Sequence, residues 1–134
     1  VLMAKRNIEP RKGLWNLPCG FLENDESVMD GAIRETFEEC KAKVEVDHLH
    51  CIFDLVGFHQ VYLVFKAHML EDGISTTPES SEVRFMSPEE IPWDEIAFES
   101  SRFALRKWID NNNLNDKGLH FGKFSKFANH NKSV

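Results

Sequence analysis

The sequence predicts a mixed α/β domain, a mixed β-sheet with helices packed against it. Three observations lead there. Two runs rich in Val, Ile, Leu, Phe and Tyr, residues 44–54 and 60–70, flank the turn-like DLVGFH and read as a hairpin. Two stretches, from Ser27 to about Lys41 and over 98–111, carry apolar residues at helical spacing. Short extended segments, VLMAKR at the start and SEVRFM at 81–86, supply further strands between them.

Taken in order, residues 1–6 form a strand, and NIEPRKG (7–13) is a loop by its Pro and Gly. LWNLPCGFL (14–22) is apolar, but Pro18 and Gly20 cut it into short extended pieces. Ser27 is a helix N-cap, with Asp30 three residues on in the capping-box position. After the hairpin, EDGISTTPESS is a loop and SPEEIPWDEIAF (87–98) is turn-rich. FESSRFALRKWIDN (98–111) is helical, with Phe103, Leu105, Trp108 and Ile109 on its apolar side. In the tail GLHFGKFSKF, Phe121, Phe124 and Phe127 recur every third residue with Lys123 and Lys126 between them. It reads as a short helix docking on the body or on a second subunit, which leaves a homodimer open. His48 and His50 lie two apart on a strand, share a face, and read as surface residues.

The 134 residues suit a single domain over 1–134, and 42% apolar with 28% charged residues is ordinary for a folded one. A net charge of −6 argues against a nucleic-acid binder, which would present a basic face. No apolar run approaches the roughly 18 residues of a membrane span. Cys19, Cys40 and Cys51 have neither paired nor metal-type spacing, so they read as reduced thiols in a cytoplasmic compartment. VLMAKR starts in mid-strand without an initiator Met, so residues upstream, a first strand among them, are expected to be missing.

The chemistry concentrates in GFLENDESVMDGAIRETFEEC (20–40). On a helical wheel at about 100° per residue, with Glu35 at zero, Glu38 falls near −60° and Glu39 near +40°. Met29, Ile33 and Cys40 fall near +120°, +160° and +140°, so the helix is expected to turn that stripe to the core and the carboxylates elsewhere. A solvated acidic face is the plainer reading. Against it, opposite charges at i,i+4 are sparse, the carboxylates crowd the helix end that disfavours anions, and a Gly-containing loop directly precedes the helix. A hard divalent cation such as Mg²⁺ or Mn²⁺ explains such a cluster, since it takes oxygen ligands and bridges to phosphates. ENDE at 23–26 lacks the alternating ligands and central Gly of a calcium loop.

Gly20, five residues, Glu26, seven residues, Arg34-Glu35, two residues and Glu38-Glu39 resemble the Nudix box, and Trp15-Asn16-Leu17-Pro18 stands where that family has W-x-L-P. The resemblance runs from the opening strand to the helix at 98–111. It implies an α/β/α sandwich around a mixed sheet, with the box as loop–helix–loop. It also implies hydrolysis of nucleoside diphosphates linked to another moiety, with Mg²⁺ or Mn²⁺. Glu35, Glu38 and Glu39 would be metal ligands, joined by the backbone carbonyl of Cys19 beside Gly20, and Glu26 with Arg34 would be a supporting ion pair. Two positions depart from the pattern. Lys41 stands at a Gly position, where a left-handed backbone would cost roughly 1 kcal/mol, so the helix is expected to end differently. Thr36 replaces an aliphatic residue.

Such a reaction needs a water made nucleophilic and a base to take its proton. PESSEV offers Glu82 or Glu79 as that base, with Glu38 inside the box as the rival. Lys5, Arg6 and Arg11 are candidates to contact phosphates, and Trp15, Phe53 or Phe58 to stack on a base or flavin. The segment at 79–98 resembles a subgroup of ADP-ribose or FAD pyrophosphatases, whose members often carry an N-terminal zinc ribbon. No cysteine cluster here predicts zinc. Two alternatives stay open: a nucleoside triphosphate pyrophosphohydrolase, and a nucleotide-binding regulatory domain without turnover. An intact set of box glutamates speaks against the second.

Overall fold

The computed structural model describes residues 1–114 and 118–125. Its strands are β1 (Leu2–Arg6), β2 (Trp15–Asn16), β3 (Val44–Val56), β4 (Gln60–Met69), β5 (Ser80–Phe85) and β6 (His120–Ser125). Two helices, α1 (Val28–Cys40) and α2 (Glu99–Leu114), lie between them in the chain. The strands form two sheets, β2–β1–β5 and β4–β3–β6. The first is antiparallel throughout, whereas the second is mixed, because β3 pairs antiparallel with β4 and parallel with β6. The α/β class read from the hydrophobic periods is therefore the class observed.

β1 shows how layers form around a strand of period two. Met3 is fully buried against Leu105 of α2, Trp15, Met86, Ile91 and Ile96. Its neighbour Ala4 points the other way, into a cluster with Cys40 at the end of α1 and Ala42. Strand β1 is thus covered on both faces, by α2 on one and by the C-terminus of α1 on the other. Burying a side chain such as Met3 or Leu105 contributes about 2 kcal/mol each.

Helix α1 begins at Ser27, whose hydroxyl accepts from the Asp30 N–H at 3.1 Å. It ends on Lys41 in the left-handed conformation, φ 55°, with the Lys41 N–H donating to Phe37 O at 2.8 Å. The expectation of a different helix end is thus corrected. A lysine takes the glycine-type cap, and its ammonium lies over the Phe37 ring at 4.9 Å.

The expected core stripe of the helix holds in part: Cys40 is buried and Ile33 half-buried, whereas Met29 is 49% exposed. Beside Cys40, the buried side takes in Gly31 and the half-buried Ala32 and Thr36, while Phe37 is 39% exposed. Gly31 faces inward because Leu22 and Glu26 of the preceding loop close over it. Glu35 and Glu39 are consequently half-buried at the edge of the packed face, and Glu38 is exposed.

Two further readings are corrected. The tail is strand β6 rather than a short helix: β3 offers an edge with six paired positions, and Gly122 in a helix would cost about 1 kcal/mol. Phe121 and Phe124 belong to that strand, and Phe127 lies outside the described residues. His50 is not at the surface. Register shifts at Val46/His48 and Leu49/Cys51 break the alternation, so His48 stays exposed while His50 is buried with Nε2 2.9 Å from Ala104 O.

Candidate active site

Arg34 organises the N-terminal half of the carboxylate cluster. Its Nη2 donates to Glu26 Oε1 at 2.7 Å and to the Phe21 carbonyl at 3.1 Å, and its Nε donates to Glu26 Oε2 at 3.0 Å. The remaining nitrogen, Nη1, donates to Glu35 at 2.9 Å and Glu38 at 3.2 Å. One guanidinium therefore ties the 21–26 loop to the helix and reaches two box carboxylates at once. The bond to Arg34 holds the Glu26 carboxyl below the usual carboxylate range, and Glu26 in turn pushes the Arg34 guanidinium further up. Gly31 permits this closure, since a Cβ there would lie 2.7 Å from Leu22 Cδ1 and 3.1 Å from Glu26 Oε1.

The C-terminal half differs. Glu39 Oε2 accepts from the Cys19 N–H at 2.8 Å. Burial nevertheless pushes its carboxyl up to about 8, and the charges of Glu35 and Glu79 push the same way against that hydrogen bond and Arg6. Glu35 is raised as well, first by burial, with the Arg34 bond opposing. A Cβ on Gly20 would fall inside contact distance of the Glu35 carboxyl. Gly20 is needed here for close approach: the Cys19–Gly20 backbone passes between Glu39 and Glu35.

Glu79 and Glu82 are sorted by their surroundings. The Thr77 hydroxyl donates to Glu39 O at 3.2 Å and accepts from the Glu79 N–H at 3.2 Å, which fastens the 77–79 loop to the end of α1. The charge of Glu79 is felt by both Glu35 and Glu39. Glu82 instead stands opposite Lys5 in the β1–β5 ladder, 3.7 Å from its ammonium.

The cationic and aromatic candidates divide similarly. Arg6 lies close enough to lower Glu39 and Cys19 electrostatically, with its guanidinium 5.1 Å from the Phe98 ring and its Nε bonded to Pro10 O at 2.8 Å. Lys5 is taken by Glu82 and by the Trp15 ring at 5.9 Å. Arg11 is exposed on the 7–13 loop. Trp15 is 6% exposed in the core and flanked by Lys5 and Arg84, so it offers no open face for stacking. Phe53, 4% exposed against Phe103, is withdrawn from that role for the same reason. Phe58 remains exposed in the β3–β4 turn, its ring 6.4 Å from Phe124.

Sequence reasoning passed over three residues. Asn16 is 3% and Ser101 5% exposed; Ser101 donates its hydroxyl to Asn16 Oδ1, and Asn16 Nδ2 donates to Cys19 Sγ at 3.2 Å. The third is Thr77. The signal available was adjacency alone, since Asn16 sits inside WNLPCG.

Among the described residues, no three His, Cys, Asp or Glu side chains converge closely enough to grip a metal as they stand. Arg34 draws Glu38 and Glu35 toward itself, and Cys19 holds Glu39. The donor set still fits a hard divalent cation: Glu35, Glu38 and Glu39 supply oxygen only, and burial of Glu35 and Glu39 disfavours their ionised forms, which a bound cation would favour. The Cys19 thiol, raised to about 11 chiefly by burial, stays protonated and is no rival ligand. Cys40 and Cys51 are also free and buried. No described helix is long and apolar enough to cross a membrane.

Known proteins resemble this chain in sequence and in fold. A MutT-like protein of Streptomyces ambofaciens is 37% identical over 90 residues, covering 67% of this chain and 57% of its own length, so the chain spans little more than half of that relative. A NUDIX hydrolase structure from Nitrosomonas europaea superposes with TM-score 0.90 at 38% identity, over 93% of this chain and 71% of the other. An ADP-ribose pyrophosphatase from Streptococcus suis shares the fold at TM-score 0.69 and 22% identity, over 90% and 87% of the two chains. The family model described as NUDIX domain matches residues 1–109. With that match over most of its length, the chain belongs to the NUDIX family.

Proposed function

We propose that this chain hydrolyses the pyrophosphate of a nucleoside diphosphate linked to another moiety, of the FAD or ADP-ribose class, using Mg²⁺ or Mn²⁺. The observation that carries the reading is the half-buried pair Glu35 and Glu39, both raised, packed around the Cys19–Gly20 backbone and faced by Glu79. A site that keeps carboxylates in that state gains most by acquiring a cation.

Glu35, Glu38, Glu39 and the Cys19 carbonyl would hold the ion. When bound, it lowers the pKa of a water and offsets charge on the phosphate oxygens. Glu79, anchored through Thr77 beside α1, accepts the proton of the attacking water; Glu38 is the second candidate and Glu82, committed to Lys5, the third. Water adds to one phosphorus, the bridging P–O bond breaks, and two phosphomonoesters leave. Arg6, whose charge reaches Glu39, is the first candidate to contact a phosphate, with Arg11 and Lys5 after it, and the exposed Phe58 is the candidate to stack on a base or flavin. The substrate class rests on the resemblance of residues 79–98 to the dinucleotide-cleaving subgroup.

The test is a panel of FAD, ADP-ribose, NADH and nucleoside triphosphates with each metal, scored by product. Two monophosphate-type products from FAD or ADP-ribose are expected. Pyrophosphate released from triphosphates alone would replace this reading with the triphosphate one, and binding without product would indicate a regulatory domain.

A further inference from the structure

Residues outside the box fix the hydrogen bond that the Cys19 backbone N–H donates to Glu39. The chain of contacts starts on α2. Ser101, 5% exposed, lies in the first turn of that helix and donates its hydroxyl to Asn16 Oδ1. The Ser101 hydroxyl gives its proton to the Asn16 oxygen, which leaves the Asn16 NH2 group free to donate elsewhere. Asn16, itself 3% exposed, then presents Nδ2 to Cys19 Sγ at 3.2 Å. The thiol is thereby pinned, and the Cys19 N–H is aimed at Glu39 Oε2 at 2.8 Å. The backbone of the same strand is tied to the 96–97 segment, Ala97 N–H donating to Trp15 O at 2.7 Å.

We propose that Ser101 and Asn16 are positioning residues: they hold the Cys19–Gly20 backbone at the distance where its N–H meets Glu39, and so preset the carboxylate for a cation. The inference rests on the metal-dependent reading of the site for its purpose, though not for its geometry. Both side chains are almost fully enclosed, and a buried polar pair placed there has to be matched on every face. Their orientation is dictated from α2, an element that contributes no carboxylate to the site. Groups that orient ligands in this manner change metal affinity by about 10- to 100-fold when removed.

The experiment uses Ser101→Ala, which deletes the donor, with Ser101→Thr as the conservative variant that keeps it; Ser101 borders a cavity of about 470 Å³. The first readout is the Cys19 amide by NMR without metal. Ser101→Ala is expected to speed its hydrogen exchange by about tenfold and shift its proton upfield, while Ser101→Thr stays near the parent. The second is Mn²⁺ affinity by calorimetry, expected to weaken about tenfold in Ser101→Ala and to recover in Ser101→Thr. An unchanged Cys19 amide in Ser101→Ala overturns the proposal whether or not metal binds. A changed amide in a parent chain that binds no Mn²⁺ keeps the positioning and sinks the metal reading alone. A lower melting temperature with both readouts unmoved would reduce the pair to ordinary packing, and would also overturn it.

Discussion

Glu26 and Glu39 stand at the two ends of α1 and have opposite surroundings. Glu26 meets a guanidinium with both oxygens, and its carboxyl is held below the usual range by that bond. Glu39 has a single backbone N–H, two carboxylates for neighbours, and a carboxyl pushed up to about 8 by burial. The first is satisfied within the chain. The second is incomplete as the protein stands, and incompleteness of this sort marks a site that awaits a ligand. The contrast separates a residue that builds the box from one that works in it, although both belong to the same motif.

Exchanging the two glutamates for glutamine, one at a time, would break the comparison most visibly. Glu39→Gln keeps the acceptor for Cys19 but removes the charge, and is expected to lower kcat/KM by about 10³-fold or more with the fold retained by circular dichroism. Wild-type turnover in that variant would show that Glu39 is no ligand. Glu79→Gln comes next, at about 10²-fold in kcat with metal affinity little changed. Glu82→Gln, which only releases Lys5, should stay within about twofold. If Glu82→Gln were the more damaging of the two, the base assignment would have to be exchanged.

Glu26→Gln sharpens the other half of the contrast. It removes charge from a bond that anchors the 21–26 loop, so the melting temperature should fall by a few degrees and kcat by about tenfold through misplacement of Glu35 and Glu38 around Arg34. Loss of stability together with weakened metal binding is the signature expected here, whereas Glu39→Gln is expected to lose metal binding with stability retained. Differential scanning fluorimetry with and without Mg²⁺ reads both.

Much of this was legible in the sequence, for physical reasons that also explain the failures. The spacing of Glu35, Glu38 and Glu39 fixes their shared sector on any helix, and Ser27 caps through a local bond, so both survive whatever the tertiary context. The direction that sector faces is not local. Cys40 of the expected stripe is buried and Ile33 half-buried, but Met29 is exposed, and Gly31 faces in instead because a loop carrying Leu22 and Glu26 closes over it. Period arguments also fail where a bulge resets the alternation, as at His50, and where a three-residue aromatic spacing is shared by helix and strand, as in β6. Trp15 and Phe53 were candidates by residue type alone, and type says nothing about which face is covered. Asn16, Ser101 and Thr77 act through contacts that no motif encodes.

The smallest effect expected is in the pH dependence of stability without metal, and there the two glutamates should pull in opposite directions over separate windows. For Glu39 the folded carboxyl sits near 8 against 4.5 in the unfolded chain. Between those values the folded state holds more protons than the unfolded one, so stability falls as pH rises through that interval. Below 4.5 the contribution is fully present. Glu26 is lowered from 4.5, so its contribution is present above that value and is lost as pH drops through the lower folded pKa. Urea melts of the metal-free protein should therefore show a decline from about pH 5 to about pH 8, of about 1–2 kcal/mol once the half-exposed setting of Glu39 is discounted. Glu39→Gln should flatten that decline and leave the acid side untouched, and saturating Mg²⁺ should reverse it, because the cation binds the ionised form. A metal-free protein equally stable at pH 5 and pH 8, with Glu39→Gln indistinguishable from the parent, would mean that Glu39 ionises at an ordinary value and that the two ends of α1 do not differ as described.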